Sequence, residues 1–185
     1  TGYTFVNWTE GGTPVSSSVS YTFTVNANRT LVANFSLNTY TVATSSSPIA
    51  GGTTSGGGTY NYGTSVTVSA TPNTGYTFVN WTEGGTVVSV STSYSFTLSA
   101  NRTFVANFSL NTYTVVTSSS PVAGGTTSGG GTYNYGTSVT VSATPNTGYT
   151  FVNWTEGGTP VSSSVSYTFS ISANRTLVAN FSLNP

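Results

Sequence analysis

One string, TGYTFVNWTEGGT, begins at Thr1, again at Thr74 and again at Thr147. A chain that repeats itself at so short and even an interval has few folds open to it. Each copy must be one small supersecondary module, and the copies form a tandem array rather than a set of domains with separate jobs. If the unit starts at its YTV strand, residues 40–112 and 113–185 are whole copies, and residues 1–39 are the second half of another. The two whole copies align without a gap and differ at ten positions, several of them apolar for apolar: Ile49 for Val122, Leu98 for Ile171, Phe104 for Leu177.

The local period is two. Val66, Val68 and Ala70 alternate with Ser and Thr, and so do Tyr94, Phe96 and Leu98; Phe104, Ala106 and Phe108 alternate in RTFVANF. That is the pattern of half-buried strands, built from residue types that favour a pleated surface. Turn residues punctuate it at PIAGG (48–52), Gly56–Gly58, TPNT (71–74), Gly84–Gly85 and Ala100–Asn101. The expectation is an all-β unit of five or six strands with at most one helical turn. Its inward set is Val66, Val68, Tyr94, Phe96, Leu98, Phe104, Ala106 and Phe108, with the equivalent positions of the second copy. In GYTFVNW, plain alternation puts Tyr76 and Phe78 on one face and Val79 and Trp81 on the other.

Composition narrows the chemistry. Charged residues are 3% of the chain, three Arg against three Glu, with no Lys, Asp, His, Cys, Met or Gln. No usual nucleophile–base pair can be assembled from that set, and the carboxylates Glu10, Glu83 and Glu156 stand one to a copy, never as neighbours in sequence. A zinc site has no Cys or His to use. Neither catalysis nor a cofactor is expected. A net charge of zero gives no electrostatic footprint for nucleic acid or an anionic membrane. No run of about 18 apolar residues offers a membrane span. Without Lys, no lysine–asparagine isopeptide staple can form, so packing must supply the stability.

The order YTV, AGGT, GGGTYNYGTSVTVSATPNTGYTFVNW and SYSFTLSANRTFVANF resembles the divergent internalin-B-type bacterial repeat, related to the Listeria–Bacteroides repeat. GYTFVNW (Gly75–Trp81 and Gly148–Trp154) and the closing TFVANF or TLVANF are the most specific blocks. The resemblance covers essentially the whole chain. It implies small β-grasp-like modules strung in tandem in secreted or cell-surface prokaryotic proteins, where they serve as spacers, stalks and adhesion segments. It brings no catalytic residues.

Several features invite a sharper reading. The run GGTTSGGGTYNYG (51–63 and 124–136) lacks the Lys-Ser/Thr and following helix of a phosphate loop, so hairpin turns needing positive φ account for it. Trp8, Trp81 and Trp154 could form a sugar-binding platform, but a unit this small needs each of them in its core. The charge pairs Glu10–Arg29, Glu83–Arg102 and Glu156–Arg175 recur once per unit and read as cross-strand or inter-unit salt bridges. Each unit also carries three Asn-x-Ser/Thr motifs. Of these, Asn101 lies in a turn and Asn107 points off the Phe104–Phe108 face, so both are candidate glycan acceptors, as are Asn28, Asn34, Asn174 and Asn180.

The function expected is structural: an extracellular fibre, filament or stalk on a prokaryotic cell that associates with itself. Edge strands without guarding charges favour such pairing. The alternatives are an adhesin segment that binds surface glycans through exposed aromatics, and a passive spacer. Residues 1–39 lack the unit's first strands, either because the 185 residues are a window on a longer array or because a neighbouring chain supplies those strands. On both accounts Tyr3, Phe5, Trp8, Tyr21, Phe23, Leu31 and Phe35 are the expected self-association surface.

Overall fold

The computed structural model describes all 185 residues. Residues 1–39 form β1 (Tyr3–Glu10), β2 (Thr13–Ser16) and β3 (Leu31–Leu37). The first whole copy is β4 (Thr39–Ser47), a 3-10 turn (Ile49–Gly51), β5 (Gly52–Ser55), β6 (Gly58–Asn61) and β7 (Ser65–Pro72). It continues as β8 (Tyr76–Glu83), β9 (Thr86–Ser89), β10 (Ser93–Thr97) and β11 (Arg102–Leu110). The second copy repeats this as β12 (Thr112–Ser120), a 3-10 turn (Val122–Gly124), β13 (Gly125–Ser128), β14 (Gly131–Asn134) and β15 (Ser138–Pro145). Then come β16 (Tyr149–Glu156), β17 (Thr159–Ser162), β18 (Ser166–Ser170) and β19 (Arg175–Leu183). The fold is all-β. Each copy has eight strands rather than five or six, because β5, β6 and β9 are short strands inside stretches that read as turns.

Each copy makes two sheets. The larger runs β6-β4-β11-β8-β9 and the smaller β10-β7-β5, with β14-β12-β19-β16-β17 and β13-β15-β18 as their counterparts. The copy's first and last strands are parallel neighbours, from Arg102 beside Val42 to Asn107 beside Ser47. This central parallel pair, flanked by antiparallel strands, is the β-grasp-like element, and the three-stranded sheet covers its inner face. By proximity the chain divides into two compact units, Thr1–Pro72 with Phe78–Phe108 and Asn73–Thr77 with Ser109–Pro185.

The core lies between the two sheets. In the first unit it holds Val42, Val66, Val68, Ala70, Trp81, Leu98, Phe104, Ala106 and Phe108; in the second, the same positions from Val115 to Phe181. Tyr94 and Phe96, expected fully inside, are half-buried. They still seal the seam between the sheets: the Phe96 and Phe104 ring centroids are 5.0 Å apart. Val42 joins the core through the parallel pairing, which local alternation does not reveal. Trp154 pairs across strands with Ala179, and the small partner leaves room for the indole.

The expected faces of GYTFVNW need correction. The register of β16 on β19 shifts between Phe151 and Asn153, and that of β1 on β3 between Phe5 and Asn7. A β-bulge inserts one residue and resets the alternation. Val152 and its equivalent Val79 are the extra residues, and they stay 48% and 45% exposed. Phe78 and Trp81, predicted on opposite faces, therefore both point inward and touch at 6.1 Å between centroids.

Glycine also plays a different part from the one expected in AGG. Gly51 and Gly52 do not have positive φ in the left-handed range. They are bare because Phe108 lies on them: a Cβ at Gly51 would meet Phe108 Cβ at 2.6 Å. Residues 1–39 have no such corner. Phe35 is 59% exposed, whereas its equivalents Phe108 and Phe181 are 6% exposed. Residues 20–24, equivalent to β10, are not a strand, since the strand that would pair with them, the counterpart of β7, has no equivalent in residues 1–39.

Phe35 and Phe108 thus form an internal control. Phe108→Ala is expected to cost about 3–5 kcal/mol, as for a buried aromatic, and Phe35→Ala less than about 1 kcal/mol. Chemical denaturation of the two variants checks this. Equal losses would contradict the packing described.

Candidate functional site

The six charged side chains form three equivalent clamps. In the first whole copy, Arg102 Nε donates to Glu83 Oε1 at 2.6 Å and Arg102 Nη2 to Glu83 Oε2 at 2.5 Å. Glu10–Arg29 and Glu156–Arg175 pair the same way, at 2.6 Å each. Each pair lies within its own copy and makes no bridge to another; Glu83–Arg102 and Glu156–Arg175 are cross-strand, whereas Arg29 precedes β3. The Arg102 guanidinium lies 4.8 Å from the Phe96 ring and 4.9 Å from the Phe104 ring. It belongs to β11 and stacks on β10, so it closes the open end between the two sheets. A bidentate, stacked geometry is one that arginine holds and lysine does not.

The hydrogen bonds from Arg102 hold the Glu83 carboxyl below its ordinary 4.5, against a smaller opposing push from partial burial; Glu10 and Glu156 are lowered for the same reasons. A carboxylate whose pKa is lowered on folding stabilises above its unfolded pKa, and that contribution is lost as pH falls through the folded value. Melting temperature is therefore expected to stay flat from pH 5 to 9, where no side chain has its ordinary pKa. It should drop below about pH 4.5. Glu83→Gln should cost up to ~1 kcal/mol at neutral pH and shrink the acid drop. Melting curves against pH for both proteins check it.

The asparagines of the sequence motifs separate by environment. Asn107 is half-buried, and its Nδ2 donates to Asn80 Oδ1 at 2.8 Å and to Thr82 Oγ1 at 3.1 Å, clasping β11 to β8. Asn180 and Asn34 form the same clasp with Asn153 and Asn7. In the folded chain the Asn34, Asn107 and Asn180 amides, expected as glycan acceptors, are thus engaged in the structure, and a sugar on Nδ2 would displace these bonds. Asn28, Asn101 and Asn174 are exposed. Trp81 and Trp154 are entirely buried, each indole N–H donating to a backbone carbonyl, and offer no face to a sugar.

A further arrangement was not foreseen. Where one copy's sequence passes into the next, Asn111 N–H donates to the Gly75 carbonyl, and the Asn111 carbonyl accepts from Tyr135 N–H, both at 2.8 Å. Thr77 Oγ1 donates to Asn111 Oδ1 at 2.7 Å. The Tyr135 ring then lies over Gly75, leaving no space for a Cβ. In the other compact unit Gly2, Asn38, Thr4 and Tyr62 repeat the seat. Gly148, Asn184 and Thr150 form the same hydrogen bonds at 2.7 and 2.6 Å, with no ring over the glycine. The available signal was an Asn in every linking SLN segment, which alternation does not weigh.

The seat permits a clean comparison, since Gly75 and Gly148 have φ of 84° and 85° in identical sequence. Gly148→Ala should cost about 1–2 kcal/mol for a left-handed alanine. Gly75→Ala should cost about 1–3 kcal/mol more, because the ring must also move. Thermal melts of the two variants measure the difference, and equal melts would show that the ring contact is unimportant.

The aromatic residues of the half-unit remain together. Phe5 meets Trp8 and Phe35 at 5.9 and 5.7 Å, and Tyr21 meets Phe23 at 5.2 Å. Tyr3 and Phe35 are each 59% exposed; Phe5, Trp8, Tyr21, Phe23 and Leu31 are half-buried. In the whole copies, the counterparts of Trp8 and Leu31 are at 0%.

Residues 1–39, 40–112 and 115–185 each match the family described as the divergent InlB B-repeat domain. The three matches span nearly the entire chain, and the protein belongs to that family of tandem repeats. No curated protein and no solved structure matches it.

Proposed function

We propose that the chain is a segment of a structural, extracellular tandem-repeat protein that forms a fibre, filament or stalk on a prokaryotic cell surface. Its role is mechanical rather than catalytic, and its copies associate head to tail. Family membership supports the surface location. A neutral, hydroxyl-rich exterior with every side-chain charge paired suits a medium of varying salt and pH. The observation that supports head-to-tail association is the seat repeated between consecutive copies: Tyr62 lies over Gly2 and Tyr135 over Gly75, each tied through the linking Asn38 or Asn111. Tyr3 and Phe35, the exposed aromatics of residues 1–39, are the surface it would use. A heterologous contact then propagates unless its rotation closes a ring.

Light scattering on the full chain tests this. The expected result is a mass that rises with concentration, and a Tyr3→Ser/Phe35→Ser double variant that stays monomeric with unchanged stability of the whole copies. Negative-stain images of native material should show filaments. A concentration-independent monomer, with no filaments in the native sample, would overturn the reading.

A further inference from the structure

We propose that Asn101 and Asn174, together with Asn28, are N-glycan acceptors, and that the other six Asn-x-Ser/Thr motifs are closed to modification in the folded protein. The inference rests on the extracellular reading above, and it goes beyond that reading in assigning a modification. The motif needs an exposed acceptor amide and a reachable hydroxyl two residues on, as on a surface loop. Asn101 sits in the link between β10 and β11, and both Asn101 and Thr103 are exposed. Residues i and i+2 of an extended chain project to the same side, so Arg102 can turn inward to its clamp while its two neighbours face solvent.

The two ends of the Asn101 amide are differently employed. Its Oδ1 accepts the Thr41 backbone N–H at 2.8 Å, and Asn174 Oδ1 accepts that of Thr114 at 2.9 Å. Neither Nδ2 makes a hydrogen bond. The modification uses only Nδ2. Its nitrogen attacks the anomeric carbon of a polyprenyl-diphosphate-linked oligosaccharide, an N–C bond forms, the C–O bond to the diphosphate breaks, and Nδ2 gives up one proton. The carbonyl keeps its bond to Thr41, so the folded loop needs no rearrangement to carry the product.

At the other motifs the fold stands in the way. Asn107 and Asn180 engage Nδ2 in their clasps, and Asn34 does the same. Asn80 and Asn153 accept those bonds and are followed by Trp81 and Trp154, which are wholly buried. Asn7 is in the equivalent position and is half-buried. Lifting any of these into an enzyme's acceptor groove would break a clasp or unseat a core side chain. There is also a physical use for a sugar here. With all six charged side chains held in pairs, the surface has no net charge to keep neighbouring molecules apart. A hydrated oligosaccharide at the same place in every copy would supply that separation.

The test is in vitro glycosylation of the folded full chain by an oligosaccharyltransferase with a polyprenyl-diphosphate-linked oligosaccharide, read by peptide mass spectrometry beside a heat-unfolded sample. The folded chain should be modified at Asn28, Asn101 and Asn174 alone, and the unfolded chain at further motifs. Modification of folded Asn107 or Asn180 as readily as Asn101, or none at Asn101 and Asn174, would overturn the proposal. Bare Asn101 and Asn174 in protein isolated from its native cells would overturn it too. Protease shaving of intact cells reports separately on the extracellular reading, so either can fail without the other.

Discussion

The parallel pairing of a copy's first strand with its last is the contact on which everything else in the module depends. It places Val42 beside the Arg102–Phe108 segment. β11 thereby becomes the central strand, with Phe104, Ala106 and Phe108 facing the small sheet. The two ends of the copy must meet before that row is enclosed, so the core is closed only when the copy is complete. The half-unit demonstrates the dependence. It has the antiparallel neighbour of β3 but no parallel one, and Phe35 of its inward row stays 59% exposed.

The placement of charge obeys a related constraint. The clamp sits at the end of the inward row, where Arg102 continues the line of Phe104 and Phe108. There Arg102 pairs with Glu83 on the neighbouring strand of its own sheet and stacks on Phe96 of the other sheet while staying partly hydrated. A wholly buried pair would carry a desolvation cost that its attraction need not cover, and a fully exposed one would add little. Stacked on aromatic rings and one-quarter exposed, Arg102 lies between those limits. The same clamp persists in the half-unit, where Arg29 lies 4.5 Å from the Phe23 ring although the strand is missing. Its parts are all contributed by the second half of the copy, so it does not wait for the parallel closure.

Much of this was legible in the residues. The repeat, the all-β character and the inward rows of β7 and β11 follow from self-similarity and alternation alone, because on those strands every second side chain meets the other sheet. Alternation misled at Val79, where one bulged residue reverses the faces of everything after it; the extra valine is of the same type the strand already uses, so it leaves no mark in the sequence. It was silent on Val42, whose burial depends on a strand at the far end of the copy. Glycine was read through its freedom at positive φ, yet Gly51 is needed for what it lacks, since Phe108 occupies the space of its side chain. The Asn-x-Ser/Thr motifs looked alike for a similar reason: a motif specifies three residues, whereas the availability of an amide depends on which strand lies opposite.

The seat of Tyr135 on Gly75 shows that the repeat of the sequence and the boundary of the folded body are different things. Asn73–Thr77 lie in the middle of a copy by sequence, yet by proximity they belong with residues 109–185. The reason is local. Asn111 ties its N–H to Gly75 and its carbonyl to Tyr135, so the link residue joins the start of β8 to the loop after β14. A copy therefore carries two surfaces of different kinds. One is the core row, which its own first strand must close. The other is a glycine at its flank, shaped for a tyrosine that its own sequence places elsewhere. At Gly148 the hydrogen bonds that shape the seat are already made without the ring, so the receiving side is organised by its own backbone and does not need its occupant to form. A module with a preformed receiving side can be added to without being remade. That is the property a repeat must have if copies differing by only a few apolar exchanges are to be strung one after another.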